Sequence, residues 1–430
     1  MNIILALIIF SVLVIIHEFG HFLFAKKNGI RVTEFSIGMG PRLVSFEKGE
    51  TRYSWKLLPF GGSCMMLGED EDIVSDKNDT FGCKSVWARI SVVAAGPIFN
   101  FILAWILAVI VIGFVGPDKP VVLSVTQGSA AEQAGLREGD LITKYNGTKV
   151  SLGREISLEQ YIHPVSDQEI EITYERDGER KQTTIKPEKL TKYALGVNYT
   201  ADGNPLEVKV IDGGALKEAG MENGDVITKF AGVEIQSGKQ FNEYVQKHPI
   251  TEDDIVIEYQ RNGETREAKV TPVKNEYYST GFSYNVYRDK VNALGVVKYS
   301  FVEVKYVIGS TLKSLSMLVQ GKVKKDDVAG PVGIVDLIGD AYNETKDEGI
   351  LYVFLTLANL TILLSANLGV MNLLPIPALD GGRLVFMLIE VVRGKPIDRE
   401  KEGIVHLVGM ILLMILMVLI LFNDVSRLFR

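Results

Sequence analysis

The chain has 430 residues, of which 47% are hydrophobic, with a positive mean hydropathy of +0.16 and a net charge of −7. Its length suits two or three domains, and its mild charge gives no sign of a nucleic-acid partner. Its two cysteines, Cys64 and Cys83, exclude a disulfide framework.

Four segments of the chain are apolar enough and long enough to cross a bilayer, for which about 20 residues are needed. Proline and glycine are tolerated inside such segments because neighbouring helices satisfy the freed backbone groups. The sequence therefore predicts a polytopic α-helical membrane protein with four transmembrane helices, at 3–24, 90–115, 351–374 and 403–422.

The first apolar segment contains His17-Glu18-Phe19-Gly20-His21, an HExxH motif. Residues i and i+4 share one face of a helix, so His17 and His21 can bind one zinc ion together. Glu18 is placed to take a proton from zinc-bound water. Ionisable residues are costly inside a membrane helix and by default mark a functional site there. The motif therefore predicts a zinc hydrolase whose site lies inside the membrane.

Lysine and arginine beside the four segments predict their orientation, because cytoplasmic loops carry an excess of basic residues. Basic residues cluster in 25–89 and in 375–402, which we therefore place in the cytoplasm. Both termini and the long region 116–350 then face the outside. The HExxH motif lies in the cytoplasmic half of its span.

The outside region contains an internal repeat with an offset of 85 residues: SAAEQAGLREGDLITKYNGTKV (129–150) aligns with GALKEAGMENGDVITKFAGVEI (214–235). Each copy predicts a strand, a short helix, a Gly-Asp turn, another strand, a helix and a β-hairpin. The predicted hairpin turns are Asp-Gly and Asn-Gly pairs. His163 and His248 occupy equivalent positions, and a structural role is favoured for them over a metal site.

Each copy resembles a PDZ domain of the bacterial protease type. The resemblance predicts two inserted extracytoplasmic PDZ-like α/β domains, at 116–190 and 200–275. Such domains can bind an extended peptide as an added strand at a sheet edge, or they can act only as spacers or size filters. The segment 291–321 predicts an amphipathic helix that lies at the membrane surface or packs on the second PDZ-like domain.

A catalytic zinc site needs a third protein ligand and an open position for water. The candidates at membrane level are Asp380, Glu390 and His406. Asp380 is favoured because it follows the third span, at the depth of HExxH, in a segment that Pro375 and Pro377 interrupt. An irregular segment at membrane depth must line a cavity or be buried in protein. His406 is the second choice.

Five stretches in chain order closely resemble those of the site-2 protease family: HEFGH (17–21), FSIGMGPRLVSF (35–46), LLPFGGSCMMLGED (58–70), GPIFNF (96–101) and NLLPIPALDGG (372–382). The likeness is closest to the bacterial group that cleaves anti-sigma factors within the membrane. It implies that His17, His21 and Asp380 bind one Zn²⁺ and that Glu18 is the catalytic glutamate.

The resemblance also links Asn367 and Asn372 to handling of the substrate strand, although helix capping near the break explains them equally well. The chain departs from the family pattern at two places that bear on substrate preference. It has Ser63-Cys64 where the family commonly has Tyr-Val, and Arg383 where it commonly has histidine.

The predicted domain organisation combines the apolar segments, the repeats and the resemblance. In chain order it comprises the first transmembrane helix with HExxH (1–25), a cytoplasmic membrane-associated β-hairpin region (26–89), the second transmembrane helix (90–115), two PDZ-like domains (116–190 and 200–275), the amphipathic helix (291–321), the third transmembrane helix (351–374), a cytoplasmic Leu-Asp-Gly-Gly loop (375–402) and the fourth transmembrane helix (403–422).

The resemblance implies an intramembrane zinc metalloprotease of the bacterial inner membrane. Its expected substrates are transmembrane proteins: an anti-sigma factor already trimmed by an upstream site-1-type protease, or remnant signal peptides. Membrane lipid is an expected partner, and nucleic acid is not. The competing hypotheses are a membrane-anchored zinc protease that cuts soluble loops or misfolded membrane proteins, and a PDZ scaffold whose zinc site is vestigial or transports metal.

Overall fold

The computed structural model describes residues 2–69, 78–323 and 329–428. Residues 70–77 of the predicted hairpin region lie outside the described residues. The chain forms two compact units. The helical unit comprises Met1–Pro117 and Arg288–Arg430, and the repeat unit comprises Asp118–Tyr287.

The first part of the helical unit contains α1 (Asn2–Lys27), β1 (Val32–Lys48), β2 (Thr51–Met66), a 3₁₀ turn (Phe81–Cys83) and α2 (Val86–Val115). The repeat unit contains β3 (Val122–Val125), α3 (Ala130–Gln133), β4 (Leu141–Tyr145), β5 (Thr148–Lys149), α4 (Gly153–Ile162), β6 (Ile170–Arg176), β7 (Glu179–Ile185), β8 (Glu188–Ala194), β9 (Val197–Tyr199), β10 (Val208–Val210), α5 (Ala215–Glu218), β11 (Val226–Phe230), β12 (Val233–Glu234), α6 (Gly238–Lys247), β13 (Ile255–Arg261), β14 (Glu264–Val270), β15 (Val273–Ser279) and β16 (Phe282–Tyr284). The helical unit resumes with α7 (Ala293–Val319), α8 (Pro331–Thr345), a 3₁₀ turn (Lys346–Glu348), α9 (Ile350–Leu373), α10 (Asp380–Arg393) and α11 (Arg399–Leu428).

Four helices in the described part of the chain are long and apolar enough to cross a membrane: α1, α2, α9 and α11. They coincide with the four predicted apolar segments, so the prediction of four long apolar helices is confirmed. Helix α2 is central, because it packs against α1, α7, α9 and α10. Most of the apolar surface of α11 is exposed, as suits a helix that contacts lipid.

Helices α1 and α2 approach closely at Gly20, in the middle of HEFGH. A Cβ atom on Gly20 would lie 2.5 Å from the backbone oxygen of Ala95 and 3.1 Å from the Cα atom of Gly96. Small residues allow such close backbone contact between membrane helices. The glycine of the motif therefore brings both histidines directly against α2.

Strands β1 and β2 form a long hairpin that folds over on itself. Residues 34–37 pair with 52–55 on one side, and 32–37 pair with 62–66 on the other. The result is in effect a four-stranded mixed sheet, because 34–37 runs parallel to 52–55, and 62–66 is an edge of it. Gly38 and Gly61 adopt positive φ angles of 85° and 82°, which glycine tolerates best, where the strands bend.

Helix α7 is the predicted amphipathic helix, but its apolar face packs within the helical unit. Val304 and Val307 are buried with residues of α2 and α9, and the Phe301 ring stacks on Trp105 of α2. The sequence predicted a position at the membrane surface or on the second repeat. The structure instead shows α7 packed against α2 and α9, which cover part of its apolar face.

The two repeats exchange strands. Strand β16 of the second copy pairs with β3 of the first, whereas β9, which follows the first copy, pairs with β10 of the second. Between them β8 and β15 pair antiparallel, with Thr191 opposite Glu276. Because these two residues are one offset apart, the exchange has approximate two-fold symmetry. Each repeat is therefore completed by a strand from the segment that follows the other repeat. The predicted boundaries, 116–190 and 200–275, do not include these exchanged strands in the domains that they complete.

The Gly-Asp turn of each repeat is explained by a buried ion pair. Arg176 donates two hydrogen bonds of 2.7 Å to the carboxylate of Asp140, and Arg261 holds Asp225 in the same way, at 2.8 and 2.7 Å. Each aspartate also accepts a backbone N–H of its own turn. These paired hydrogen bonds fix the turn to the neighbouring strand.

Replacing Asp225 by asparagine should lower the free energy of unfolding of residues 118–287 by about 2 kcal/mol, because the half-buried Arg261 guanidinium loses its buried, charged hydrogen-bond partner. Equilibrium urea unfolding measures this change. The matched control is Glu264→Gln, which breaks an exposed pair with Arg266 and should change stability by less than about 0.5 kcal/mol. Equal effects of the two substitutions would contradict the structural role of Asp225.

The same pair predicts how stability depends on pH. Burial alone would raise the pKa of the Asp225 carboxyl, but hydrogen bonds from Arg261 and from the backbone N–H of Glu222 hold that pKa below its usual range. The stabilisation is therefore complete above the unfolded pKa, about 3.9, and is lost as the pH falls through the lower folded pKa.

Candidate metal centre

His17, His21 and Asp380 are brought together from α1 and the start of α10. The Nε2 atoms of the two histidines lie 3.2 Å apart, and Asp380 Oδ2 lies 3.1 Å from His17 Nε2 and 3.5 Å from His21 Nε2. Both histidines are buried. In the described part of the chain this is the group of three residues that could hold a metal ion.

The spacing of these three atoms fits a tetrahedral ion. Zinc bound to nitrogen and oxygen ligands at its usual distances separates the ligand atoms by about 3.3 Å. The three observed separations lie close to that value. Asp380 Oδ2 is buried without a hydrogen-bond donor, which is costly for a carboxylate unless a cation pairs with it. The residues present therefore fit zinc.

Helix α2 provides the surface on which both imidazoles rest. His21 Nδ1 lies 2.9 Å from the backbone oxygen of Val92, and His17 Nδ1 lies 3.1 Å from the side-chain amide of Asn100. Between them, Gly96 has no side chain, and a Cβ atom there would lie 2.4 Å from His21 Nε2. The sequence showed a polar residue within an apolar helix at Asn100, but it predicted no role for these three positions.

Asp380 begins α10, after the interrupted segment that the two prolines predicted. Ala378 adopts a positive φ of 75°, and its backbone N–H donates a 2.8 Å hydrogen bond to Nδ1 of His406. A Cβ atom on Gly381 would lie 2.0 Å from the backbone oxygen of Leu374, so the turn has room only for glycine there. The loop thus folds back and directs Asp380 toward the two histidines.

The two other candidates for the third ligand lie elsewhere. His406 supports the backbone of the loop at Ala378, and Glu390 forms an ion pair with Arg89 of α2. Neither belongs to the cluster of His17, His21 and Asp380. Of the three candidates, it is Asp380, at the start of α10, whose carboxylate the chain reversal after α9 brings beside the two histidines.

Glu18 opens onto a cavity of about 440 Å³ beside the cluster. The same cavity is lined by both histidines, by Asp380 and by the edge strand 62–66 of the folded hairpin. The site thus combines three side chains that can hold a metal ion with a further carboxylate and the edge of a strand.

The two asparagines linked to the substrate are not part of this cavity as the described residues define it. Asn367 pairs with the Thr311 hydroxyl of α7, so its visible role is to join α9 to α7. Asn372 lies half-buried in the last turn of α9, eight residues before Asp380. Their link to the substrate stays a prediction.

Both departures from the family pattern line the cavity. Ser63 and Cys64 belong to its edge strand, and Arg383 forms an ion pair with Glu69 at its wall. Cys64 is buried, with 9% of its surface exposed. These residues are therefore positioned to affect which side chains of a substrate fit.

Comparison with known proteins agrees with this geometry. The profile of Peptidase family M50 matches residues 5–416. The chain belongs to this family. A protein of Geobacillus kaustophilus named zinc metalloprotease RasP is 33% identical over 446 residues, covering 100% of this chain and 98% of its own. This M50 chain is thus a zinc metalloprotease of the site-2 protease type.

Two further relatives have names that refer to regulation. The regulator of sigma-W protease RasP of Bacillus subtilis is 33% identical over 442 residues, and the regulator of sigma E protease of Haemophilus influenzae is 32% identical over 448 residues. Each alignment covers 98% of both chains. Among solved structures, the HtrA3 PDZ domain matches 21% of the M50 chain and 93% of its own, with 17% identity and a TM-score of 0.19.

Replacing Gly96 by alanine should weaken zinc binding at least 100-fold, because the new methyl group would collide with His21 Nε2 and with His17 Cε1. The measurement is zinc content after dialysis against a chelator of known affinity. Gly113→Ala is the matched control in the same helix, since its Cβ atom would contact nothing closer than 4.0 Å. Zinc binding by Gly96→Ala at the control's level would contradict the described packing.

Proposed function

We propose that this metalloprotease hydrolyses a peptide bond within a substrate's transmembrane helix, near its cytoplasmic end. The observation that carries the proposal is the position of the donor atoms: two lie on an apolar helix long enough to span the bilayer, and the third follows another such helix. A site built this way is reached by a chain that is itself in the membrane.

Within the site, His17, His21 and Asp380 would hold the zinc ion, and Glu18 would accept and pass on the proton. The chemistry that zinc would supply there is an acidified water, with a pKa of about 7, and a polarised carbonyl group. Glu18 accepts the proton of the attacking water and then passes it to the leaving amine. The Cβ atom that Gly62 lacks would lie 3.2 Å from Glu18 Cγ, so this glycine leaves the carboxylate room beside the edge strand.

A helical substrate cannot be cut directly, because its backbone groups are already hydrogen-bonded. It must unwind locally, and the exposed groups then need new partners in a region without water. The edge strand 62–66 lines the cavity and pairs on one side with 32–37. We infer that its other side receives the unwound substrate as an added strand.

Basic residues beside the spans support an orientation with the zinc site toward the cytoplasm. The cavity wall also carries charged groups, Glu69 and Arg383, that suit the wet end of the bundle. In this orientation both termini and the repeat unit lie outside. Cleavage then releases a cytoplasmic fragment into the cell.

Replacing Glu18 by glutamine should reduce cleavage by at least about 100-fold while zinc stays bound, because glutamine cannot accept the proton. The assay co-expresses the chain with a single-span reporter whose N-terminus is inside and whose outside domain is already trimmed. Mass spectrometry then locates the cut.

The location of the cut separates the two protease hypotheses. A cut inside the reporter's span that Glu18→Gln abolishes supports intramembrane proteolysis. A cut in a soluble loop that depends equally on Glu18 supports the competing hypothesis, a membrane-anchored protease of loops and misfolded proteins.

We further propose that the substrate is an anti-sigma factor, trimmed beforehand by an upstream protease. The names of two relatives refer to regulation of sigma-W and sigma E, and both align along 98% of this chain. Remnant signal peptides are the second substrate class, because they too are short membrane helices without a large outside domain.

The repeat unit is proposed to consist of two PDZ-like domains that act as a size filter. Tyr284 on β16 hydrogen-bonds Ser157 and Gln160 of α4, and the equivalent Tyr199 on β9 donates a 2.6 Å hydrogen bond to Asn242 of α6. In both copies a tyrosine thus spans the space between the exchanged strand and the helix. A peptide added there would have to displace it, which favours filtering over peptide capture.

Deleting residues 118–287 should allow cleavage of a substrate that keeps a large outside domain, because the filter is gone. The deletion joins Pro117 to Arg288, which are already close, since the Asp289 N–H donates a 3.1 Å hydrogen bond to the Pro117 oxygen. The rate is compared for trimmed and untrimmed reporters. Loss of discrimination supports the filter, and unchanged rejection of the untrimmed reporter with normal cutting of the trimmed one excludes it.

A further inference from the structure

Asn100 is a wholly buried polar residue in the middle of the most central apolar helix. Its relative exposure is 0%, and its side-chain amide lies 3.1 Å from His17 Nδ1. Its backbone oxygen accepts a 2.7 Å hydrogen bond from the Ser365 hydroxyl of α9. Asn100 Oδ1 is buried and makes no hydrogen bond in the described part of the chain. A buried amide with an unused acceptor is costly and needs an explanation.

The chemistry of His17 provides one. A neutral imidazole carries one proton, so His17 can offer Nε2 to a metal only if Nδ1 keeps the proton. That N–H then needs an acceptor, because it is buried. His21 meets the same requirement through the backbone oxygen of Val92, 2.9 Å from its Nδ1. The group that faces His17 Nδ1 is the amide of Asn100.

The amide can serve as this acceptor by rotation. Its oxygen and nitrogen are alike in shape, and their assignment follows from the hydrogen-bond network. With the nitrogen toward His17, two donors would face each other once Nδ1 is protonated. With the oxygen toward His17, the unused acceptor receives the N–H, and Nε2 is free to bind metal.

We propose that Asn100 is a positioning residue that accepts the Nδ1–H of His17 and thereby fixes the tautomer that binds zinc. Val92, Gly96 and Asn100 are spaced four residues apart and so lie on one face of α2. Two of them supply acceptors, one for each histidine, and the glycine between them leaves room for both rings. The inference rests on the zinc site of the proposed function.

The acceptor should matter for zinc affinity more than for folding. Partners that orient a metal-binding histidine commonly change affinity 10- to 100-fold when they are removed. Asn100→Leu keeps the approximate volume but removes the acceptor, so it should weaken zinc binding by that factor. Asn100→Asp can accept but, as a carboxylate, cannot donate, and it should keep zinc affinity within about threefold of the original chain.

The experiment uses the full chain in detergent and measures zinc affinity by competition with a chelator, together with thermal unfolding of the metal-free form. Ser365→Ala is the matched control, because it removes the hydrogen bond to the Asn100 backbone without touching the imidazole. It should leave zinc affinity unchanged. The original chain must bind zinc through His17 and His21, and its failure to do so would refute the zinc site itself.

The contrast between leucine and aspartate decides the inference. Weak binding by Asn100→Leu with near-normal binding by Asn100→Asp supports it. Normal binding by Asn100→Leu, or equal loss in both variants at unchanged metal-free stability, overturns it while leaving the zinc site intact. If Asn100→Leu does not fold, Asn100→Asp decides alone: retained zinc supports an accepting role, and lost zinc overturns it.

Discussion

The helical unit depends on holding two imidazoles and a carboxylate together inside an apolar bundle. These groups are costly to bury unless each polar atom has a partner. The surrounding structure supplies those partners and the space for them. Gly20 lets α1 lie against α2, Gly96 makes room for the rings, and the loop before α10 carries Asp380 back to the histidines. Removing any one of these features would leave a buried polar group without its partner.

The motif that sets the chemistry also sets the packing. HEFGH contributes two ligands and a carboxylate, but its glycine determines how near the second helix can come. The prolines after α9 have a similar double effect, since they end a membrane helix and allow the chain to reverse at membrane depth. Chemistry and architecture are therefore encoded by the same short segments.

The parts of the fold that the sequence predicted well are those with a strong local signal. Apolar length predicted the four long helices, and the spacing of His17 and His21 predicted that their side chains lie together on one face of α1. The sequence favoured Asp380 as the third ligand because two prolines mark the irregular segment before it. The contact of α7 with α2 and α9 was not predicted, because an amphipathic pattern shows that one face is covered but not which surface covers it.

The contacts of α2 with the two histidines also could not be predicted from the sequence. A backbone oxygen such as that of Val92 leaves no trace in side-chain pattern, and a single asparagine does not reveal its partner. The strand exchange between repeats was missed for a different reason. An offset of 85 residues predicts equivalent strands, but both the exchanged and the unexchanged pairing satisfy it equally, and only the connections between them decide.

That exchange makes the repeat unit the intramolecular counterpart of a domain-swapped dimer. Since β8 and β9 correspond to β15 and β16 at the same offset, loss of one full period would bring β9 onto β3 in place of β16. A single domain would result in which β3 keeps a partner strand, while β8 loses its partner β15. Copy number can therefore change in evolution by whole periods without leaving β3 unpaired, whereas the loss of another length would remove the strand that completes its sheet.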